Sequence, residues 1–177
     1  CAKALSSAYL PISAVMINED IFQAFQRQSE KLGIFGHGFT YTGHPVCAAV
    51  ALRTLELMEE REILAHVRRV SPRFQDRLMG FAEHPLVGEA RGVGLIGAVE
   101  LAADKEKRQP FDAALKMGPR LAEAAQQEGL IVRSVPGDAI AFCPPLIITE
   151  DQIDELFDRF TRALDRFTQE TAKEAAE

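Results

Sequence analysis

The sequence predicts an α/β fold, and three observations point to it. From about Ala48 onward, stretches with apolar residues at spacings of three and four alternate with short apolar runs of strand length, the two periodicities that helices and strands require. Glycine and proline pairs punctuate the boundaries between these stretches. Apolar residues make up 47% and charged residues 26% of the chain, the proportions of an ordinary globular domain. The expected order is helix, helix, strand, helix, strand, strand, helix, with the helices on one face of a sheet. The 177 residues allow one domain or a little more.

Taken in order, Cys1 to Pro11 is a small-residue stretch, and Ile12-Ser13-Ala14-Val15-Met16-Ile17 has strand length and strand composition. Asn18 or Asp20 then caps a helix through Phe22 and Phe25, because a short side-chain acceptor satisfies the orphan amides of a first turn. Three glycines within Gly33–Gly38 exclude a regular element there, so this segment is a loop. Pro45 suits the first position of a helix, where its missing amide costs nothing, and an apolar stripe from Val46 to Met58 carries that helix to about Glu60. A second helix follows on Ile63, Val67, Val70, Phe74, Leu78 and Phe81 and ends at His84-Pro85. Arg91-Gly92-Val93-Gly94 reads as a turn into a strand, Leu95–Leu101. Ala113–Glu128 is expected to be helical, closed by Gly129 as a left-handed cap. Leu130–Arg133 and Ala139–Phe142 pair as a hairpin across Pro136-Gly137-Asp138. Thr149 caps a final helix with Ile153, Leu156, Phe157, Phe160 and Leu164 inward, and the tail after Thr168 frays.

Charge and cysteine usage exclude whole classes of function. Lys plus Arg number 20 against 26 for Asp plus Glu, a net charge of −6, and no basic block exists to neutralise a phosphate backbone or an anionic bilayer. Nucleic-acid and membrane partners are not expected. Cys1, Cys47 and Cys143 are an odd number without metal-type spacing, which favours a reducing, cytoplasmic compartment and argues against a metal site.

Lys3 is surrounded by Ala2, Ala4, Ser6, Ser7 and Ala8, which carry almost no bulk. Such a setting lets a ligand approach the backbone closely, and a desolvated lysine there becomes a nucleophile toward aldehydes. The segment Ala2-Lys3-Ala4-Leu5-Ser6-Ser7-Ala8-Tyr9-Leu10-Pro11 resembles the lysine segment of the class III, pyridoxal-phosphate-dependent aminotransferases. His37-Gly38-Phe39-Thr40-Tyr41-Thr42-Gly43-His44-Pro45 is similar to the glycine-rich loop that, in this family, delivers a threonine to the cofactor phosphate of the neighbouring subunit. Gly92–Leu101, and Gly129–Arg133 together with Phe142–Thr149, resemble further blocks of the family's C-terminal lobe, in the same order.

The resemblance implies fold type I of the pyridoxal-phosphate-dependent transferases. Residues 1–48 would form the end of the large cofactor domain, 49–168 a linking helix and the small C-terminal α/β domain, and 169–177 a frayed tail. It implies a transaminase, ω-aminotransferase-like, exchanging an amino group between a small-molecule amine or ω-amino acid and a keto acid such as pyruvate. Lys3 would be the covalent anchor of pyridoxal 5'-phosphate and the general acid/base, while Phe39 and Thr40 would bind the cofactor. Arg133 and Tyr9 would meet the substrate, Arg133 by pairing with its carboxylate. A loop acting across subunits implies a homodimer or a higher homo-oligomer.

Two other functions fit the same residues: an aminomutase or racemase on this scaffold, and a non-catalytic oligomerisation module. Arg91, His37 and His44 are expected to be structural. Many family members have glycine at the positions of Ala4 and Ala8, and alanine resists a positive φ. The family's long N-terminal region is not within these 177 residues, so the expectation is a C-terminal fragment that is inactive alone.

Overall fold

The computed structural model describes residues 1–174, and its contacts divide the chain after Glu62 into two units, Cys1–Glu62 and the part from Ile63 onward. The division leaves the helix after Pro45 wholly in the first unit, although the sequence reading groups everything from residue 49 with the second; that helix packs against the 3-10 turn Lys3–Ser6. No helix among the described residues is long and apolar enough to cross a membrane.

The first unit contains that turn and two helices, α1 (Glu19–Leu32) and α2 (Pro45–Glu60). The Asn18 carboxamide oxygen accepts from the Ile21 amide at 3.0 Å, so Asn18 rather than Asp20 is the cap of α1, and Glu19 and Asp20 place negative charge at its positive end. Pro45 occupies the first turn of α2, as expected. The expected strand Ile12–Ile17 does not form. Only Ser13 pairs, in an isolated bridge to Ala2, and Val15 and Met16 are 88% and 82% exposed. Apolar, β-prone composition is not enough, because a strand needs a neighbour along its length, and among the described residues this segment has one only where Cys1 and Ala2 meet Ser13 and Ala14.

The second unit is an α/β lobe with an antiparallel sheet, ordered β1-β2-β4-β3, and a single apolar core. Its elements are α3 (Ile63–Gly80), β1 (Val87–Val93), β2 (Ile96–Leu101), α4 (Met117–Gln127), β3 (Arg133–Val135), β4 (Ala139–Phe142) and α5 (Glu150–Glu174). Along β2 the burial alternates, with Gly97, Val99 and Leu101 turned inward, so one face of the sheet meets the helices. Phe74 of α3, Phe142 of β4 and Phe157 and Phe160 of α5 interlock there, with ring centroids 4.8 Å apart for Phe142 and Phe160 and 5.1 Å for Phe74 and Phe157. Thr149 begins α5 with a capping box: its hydroxyl accepts from the Gln152 amide at 3.3 Å and the Gln152 side chain accepts from the Thr149 amide at 3.0 Å.

Four expectations are corrected. Arg91-Gly92-Val93 is not a turn but the end of β1, which pairs with β2 from Val87↔Leu101 to Val93↔Ile96; the turn is only Gly94-Leu95, with Gly94 supplying a φ of +60°. β1 has few apolar positions because it lies at the sheet edge. The helix expected from Ala113 starts at Met117 after a 3-10 turn, Ala113–Leu115, because Lys116 between them takes a left-handed φ of 49°, which no right-handed helix continues through, and Pro119 then falls in the first turn of α4. The strand expected over Leu130–Arg133 is instead Arg133–Val135, so Arg133 begins a strand rather than ending one. The chain does not fray after Thr168: α5 continues to Glu174, and the rest of the expected tail, 175–177, lies outside the described residues.

Candidate active site

The residues of the lysine segment and of the glycine-rich loop meet in the first unit. A cavity of about 1160 Å³ is lined by Lys3, Ala8 and Tyr9 from the turn region, by Phe39, Tyr41 and His44 from the loop, and by Val46 and Cys47 from the start of α2. The turn is held by Ser6, fully buried, whose hydroxyl donates to the Leu10 carbonyl at 2.6 Å. Its backbone is unusual: Lys3, Ser7 and Ala8 have φ of 52°, 50° and 61°, a left-handed conformation that costs a residue with a Cβ roughly 1–2 kcal/mol. Strain of this kind collects at ligand sites, where the fold rather than local preference sets the backbone.

Lys3 itself is exposed. Alanine and serine neighbours leave room around the ammonium but cover none of it. Tyr9 is 81% and Phe39 77% exposed, so two aromatic rings line the same cavity with most of their surface open.

The loop's one closed turn spans Phe39 to Thr42. The Phe39 amide donates to the Thr42 hydroxyl at 2.8 Å, and the Thr42 amide donates to the Phe39 carbonyl at 2.9 Å. This assigns the structural work to Thr42, a residue the sequence reading passed over. Thr40 makes no hydrogen bond among the described residues, is exposed, and lies outside the lining of the Lys3 cavity. Its hydroxyl is free for a ligand.

α2 opens on this cavity with its first amides uncapped. His44 holds the capping position, and its carbonyl accepts from the Ala48 amide at 3.0 Å, but its side chain caps nothing. The Val46 and Cys47 amides, in the first turn with the helix dipole behind them, favour an anion. One ammonium, aromatic faces and anion-seeking amides around one cavity are the donor set that an aromatic aldehyde phosphate requires, so these residues fit pyridoxal phosphate.

Arg133 belongs to the second unit, where it is the first residue of edge strand β3, opposite Ala141, exposed and without an ion-pair partner among the described residues. Arg91, by contrast, is engaged with Glu100 at 2.8 Å and Glu89 at 3.4 Å on the open face of the sheet, and these pairs hold its pKa above the ordinary arginine value. The structure thus brings together Lys3, Tyr9 and Phe39 and leaves Thr40 outside their cavity. It adds Tyr41, Thr42, His44 and Cys47, for which the only sequence signal was their place in the glycine-rich loop and the helix start after it.

Comparisons with known proteins agree on the family. The family model for class III aminotransferases matches residues 1–164. Gamma-aminobutyrate transaminase 1, mitochondrial, of Oryza sativa subsp. indica is 48% identical over 163 residues, which cover 92% of this chain and 31% of that protein. An uncharacterized aminotransferase of Sinorhizobium fredii is 43% identical over 157 residues, 88% of this chain and 34% of the other. Among solved structures, a transaminase with L-ala superposes with a TM-score of 0.90 at 43% identity, covering 96% of this chain and 40% of that one. A thermostable omega transaminase mutant from Pseudomonas jessenii does so with a TM-score of 0.87 at 47% identity, covering 93% and 36%. The chain spans about a third of the length of the curated relatives it matches.

Proposed function

Since the chain belongs to the class III aminotransferases, a pyridoxal-phosphate-dependent, fold type I family, we propose that its residues serve a transaminase that moves an amino group from an amine or ω-amino acid to a keto acid such as pyruvate. The observation that carries this reading is the cavity that joins Lys3 to the glycine-rich loop and the uncapped start of α2. Because the chain spans only about a third of its curated relatives, we take these residues to act within a longer polypeptide and to be inactive alone.

When bound, pyridoxal phosphate supplies the electron sink that makes a carbon-bound proton of the substrate labile. Lys3 is the lysine of the cavity lining, so its Nζ is the group that takes hold of the cofactor and afterwards carries the proton at that atom, as base and then as acid. Phe39 lends an apolar ring to the same cavity. Thr40, with its free hydroxyl, and the loop amides hold the phosphate. That Thr40 lies outside its own chain's Lys3 cavity supports its acting on the cofactor of a neighbouring subunit, hence a homodimer or higher homo-oligomer. Tyr9 borders the substrate's approach. The guanidinium of Arg133, exposed and without an ion-pair partner among the described residues, is suited to a bidentate grip on a substrate carboxylate. The three free cysteines fit a reducing compartment, and we place the protein in the cytoplasm.

The test is borohydride reduction of the full-length enzyme after incubation with pyridoxal phosphate, followed by peptide mapping. A pyridoxyl group on Lys3 is the expected result. Labelling elsewhere, or none in a folded protein, overturns the assignment and favours an oligomerisation module. Sustained turnover with a single substrate and no keto acid replaces transamination by an aminomutase or racemase.

A further inference from the structure

One buried side-chain nitrogen at the Lys3 cavity has no partner among the described residues. Nδ1 of His44 is buried and unbonded among the described residues, while the ring lines the cavity beside Tyr41, 6.0 Å away between ring centroids. The other nitrogen, Nε2, also makes no hydrogen bond among the described residues but is not fully buried. A neutral imidazole carries its proton on one nitrogen or the other. Burying an N–H with no acceptor is rarer and costlier than burying a lone pair with no donor. The proton of neutral His44 therefore resides on Nε2, and Nδ1 keeps its lone pair.

The position of the ring gives this tautomer a use. His44 precedes Pro45, which biases it toward extended backbone, and its ψ of 119° conforms. It stands where Ser, Thr, Asp or Asn would usually accept from the first helical amides, yet it leaves Val46 and Cys47 open, and both residues line the same cavity. An acceptor side chain at this position would compete with a ligand for those amides. An Nε2–H donor instead adds to them.

We propose that His44 is a ligand-binding residue of the transaminase site, presenting a fixed Nε2–H beside the open amides of Val46 and Cys47 to an oxyanion of the bound ligand. This rests on the function proposed above. The shared chemistry is an anionic oxygen, supplied either by the cofactor's phosphate or by a substrate carboxylate, and donors held in place before the ligand arrives bind it without reorganisation.

The experiment uses the full-length enzyme and has two parts. First, nitrogen NMR of the cofactor-free protein reads the His44 tautomer directly, and inorganic phosphate or acetate is then titrated in. A protonated Nε2 that shifts with either anion is expected, while a proton on Nδ1 overturns the proposal. Second, His44→Gln, whose amide nitrogen lies near the place of Nε2, is compared with His44→Asn, whose amide nitrogen lies near that of Nδ1. The glutamine variant is expected to keep ligand affinity, and the asparagine variant to lose about tenfold or more, the scale of one hydrogen bond to a charged group. A loss in the dissociation constant of pyridoxal phosphate identifies the phosphate as the acceptor. A loss confined to the dissociation constant of pyruvate, measured on the amino form of the enzyme, identifies the carboxylate. Equal losses in both variants indicate a structural role and overturn the proposal, as does no loss in either. A wild-type enzyme that binds no pyridoxal phosphate overturns the proposed function instead, and the tautomer and anion titration still decide the role of His44.

Discussion

His84 is a residue whose protonation couples to the stability of the second unit. It follows the 3-10 turn after α3, half-buried, with its Nδ1 accepting from the Leu86 amide at 3.2 Å. Burial holds its pKa below the ordinary histidine value; Asp165, 3.8 Å away, opposes that shift and Lys105 reinforces it. With the folded pKa depressed, the unfolded chain binds the proton first, so stability is complete above about pH 6.5 and falls as the pH drops below it. The expected outcome is a stability that declines in denaturant titrations as the pH is lowered through about 6.5, with a smaller decline in His84→Gln. An unchanged slope in the variant refutes the assignment. Other single residues show where sequence reading stops. Ala4 and Ala8 are the same residue in one short turn, yet only Ala8 is left-handed, because φ is set by how the turn packs and not by residue identity. A motif could nominate Lys3, Phe39 and Thr40, of which Lys3 and Phe39 line one cavity. The role of Thr42 was not, since either threonine satisfies the composition of the loop and only the observed turn distinguishes them.

At the scale of elements, a cap or a stripe could be read wherever it was local. Asn18, Pro45 and Thr149 start their helices as anticipated, because the groups that satisfy a first turn lie within three residues of it. β1 was missed and Ile12–Ile17 overread for the opposite reason: strand formation depends on a partner far along the chain. The packing of α4 against the β3–β4 turn likewise rests on a contact between distant residues, and it yields a prediction. Gly118, buried in the first turn of α4, donates its amide to Asp138 at 2.9 Å. A Cβ there would meet the Ser134 hydroxyl at 2.7 Å and the Asp138 Cα at 3.0 Å. The hydroxyl can rotate away, but the backbone carbon cannot. Gly118→Ala is therefore expected to cost about 1–3 kcal/mol despite alanine's better helix propensity. Gly80, at the end of α3, has nothing within 4 Å of such an atom, so Gly80→Ala is expected to be neutral or stabilising by up to about 1 kcal/mol. Chemical denaturation of both variants checks the pair, and equal effects would mean that the close approach at Gly118 carries no energy.

For the whole molecule, the two units differ in what they bury. Among residues 1–62 only Ser6 and Ala51 are buried, and the apolar face of α1 lies open, with Ile21, Phe22 and Phe25 at 44%, 45% and 37% exposure. Burial of apolar surface is the main force that offsets the entropy of ordering a chain, and this unit has little of it. The second unit has a contiguous core running through α3, the sheet, α4 and α5, with Phe74, Leu78, Leu121, Ile140, Phe157, Phe160 and Leu164 fully buried. Across its surface, Arg73 and Arg77 of α3 grip Asp154 of α5 at 2.6 and 3.2 Å, holding the Asp154 carboxyl below the usual carboxylate range. A segment of this size with one connected core is large enough to fold alone. An excised segment from Ile63 onward is therefore expected to give a dispersed amide spectrum and a single cooperative thermal transition. Residues 1–62 alone are expected to show at most partial helicity and no cooperative transition, because α1 and α2 lack the packing that stabilises helices in water. Cooperative unfolding of the 1–62 segment, or none in the segment from Ile63, would contradict this division. The contrast also explains why the lobe was legible as an α/β unit while the Lys3 segment was legible only as a motif: the lobe's pattern is answered by its own core, whereas the apolar surface around Lys3 and α1 finds no such core within residues 1–62.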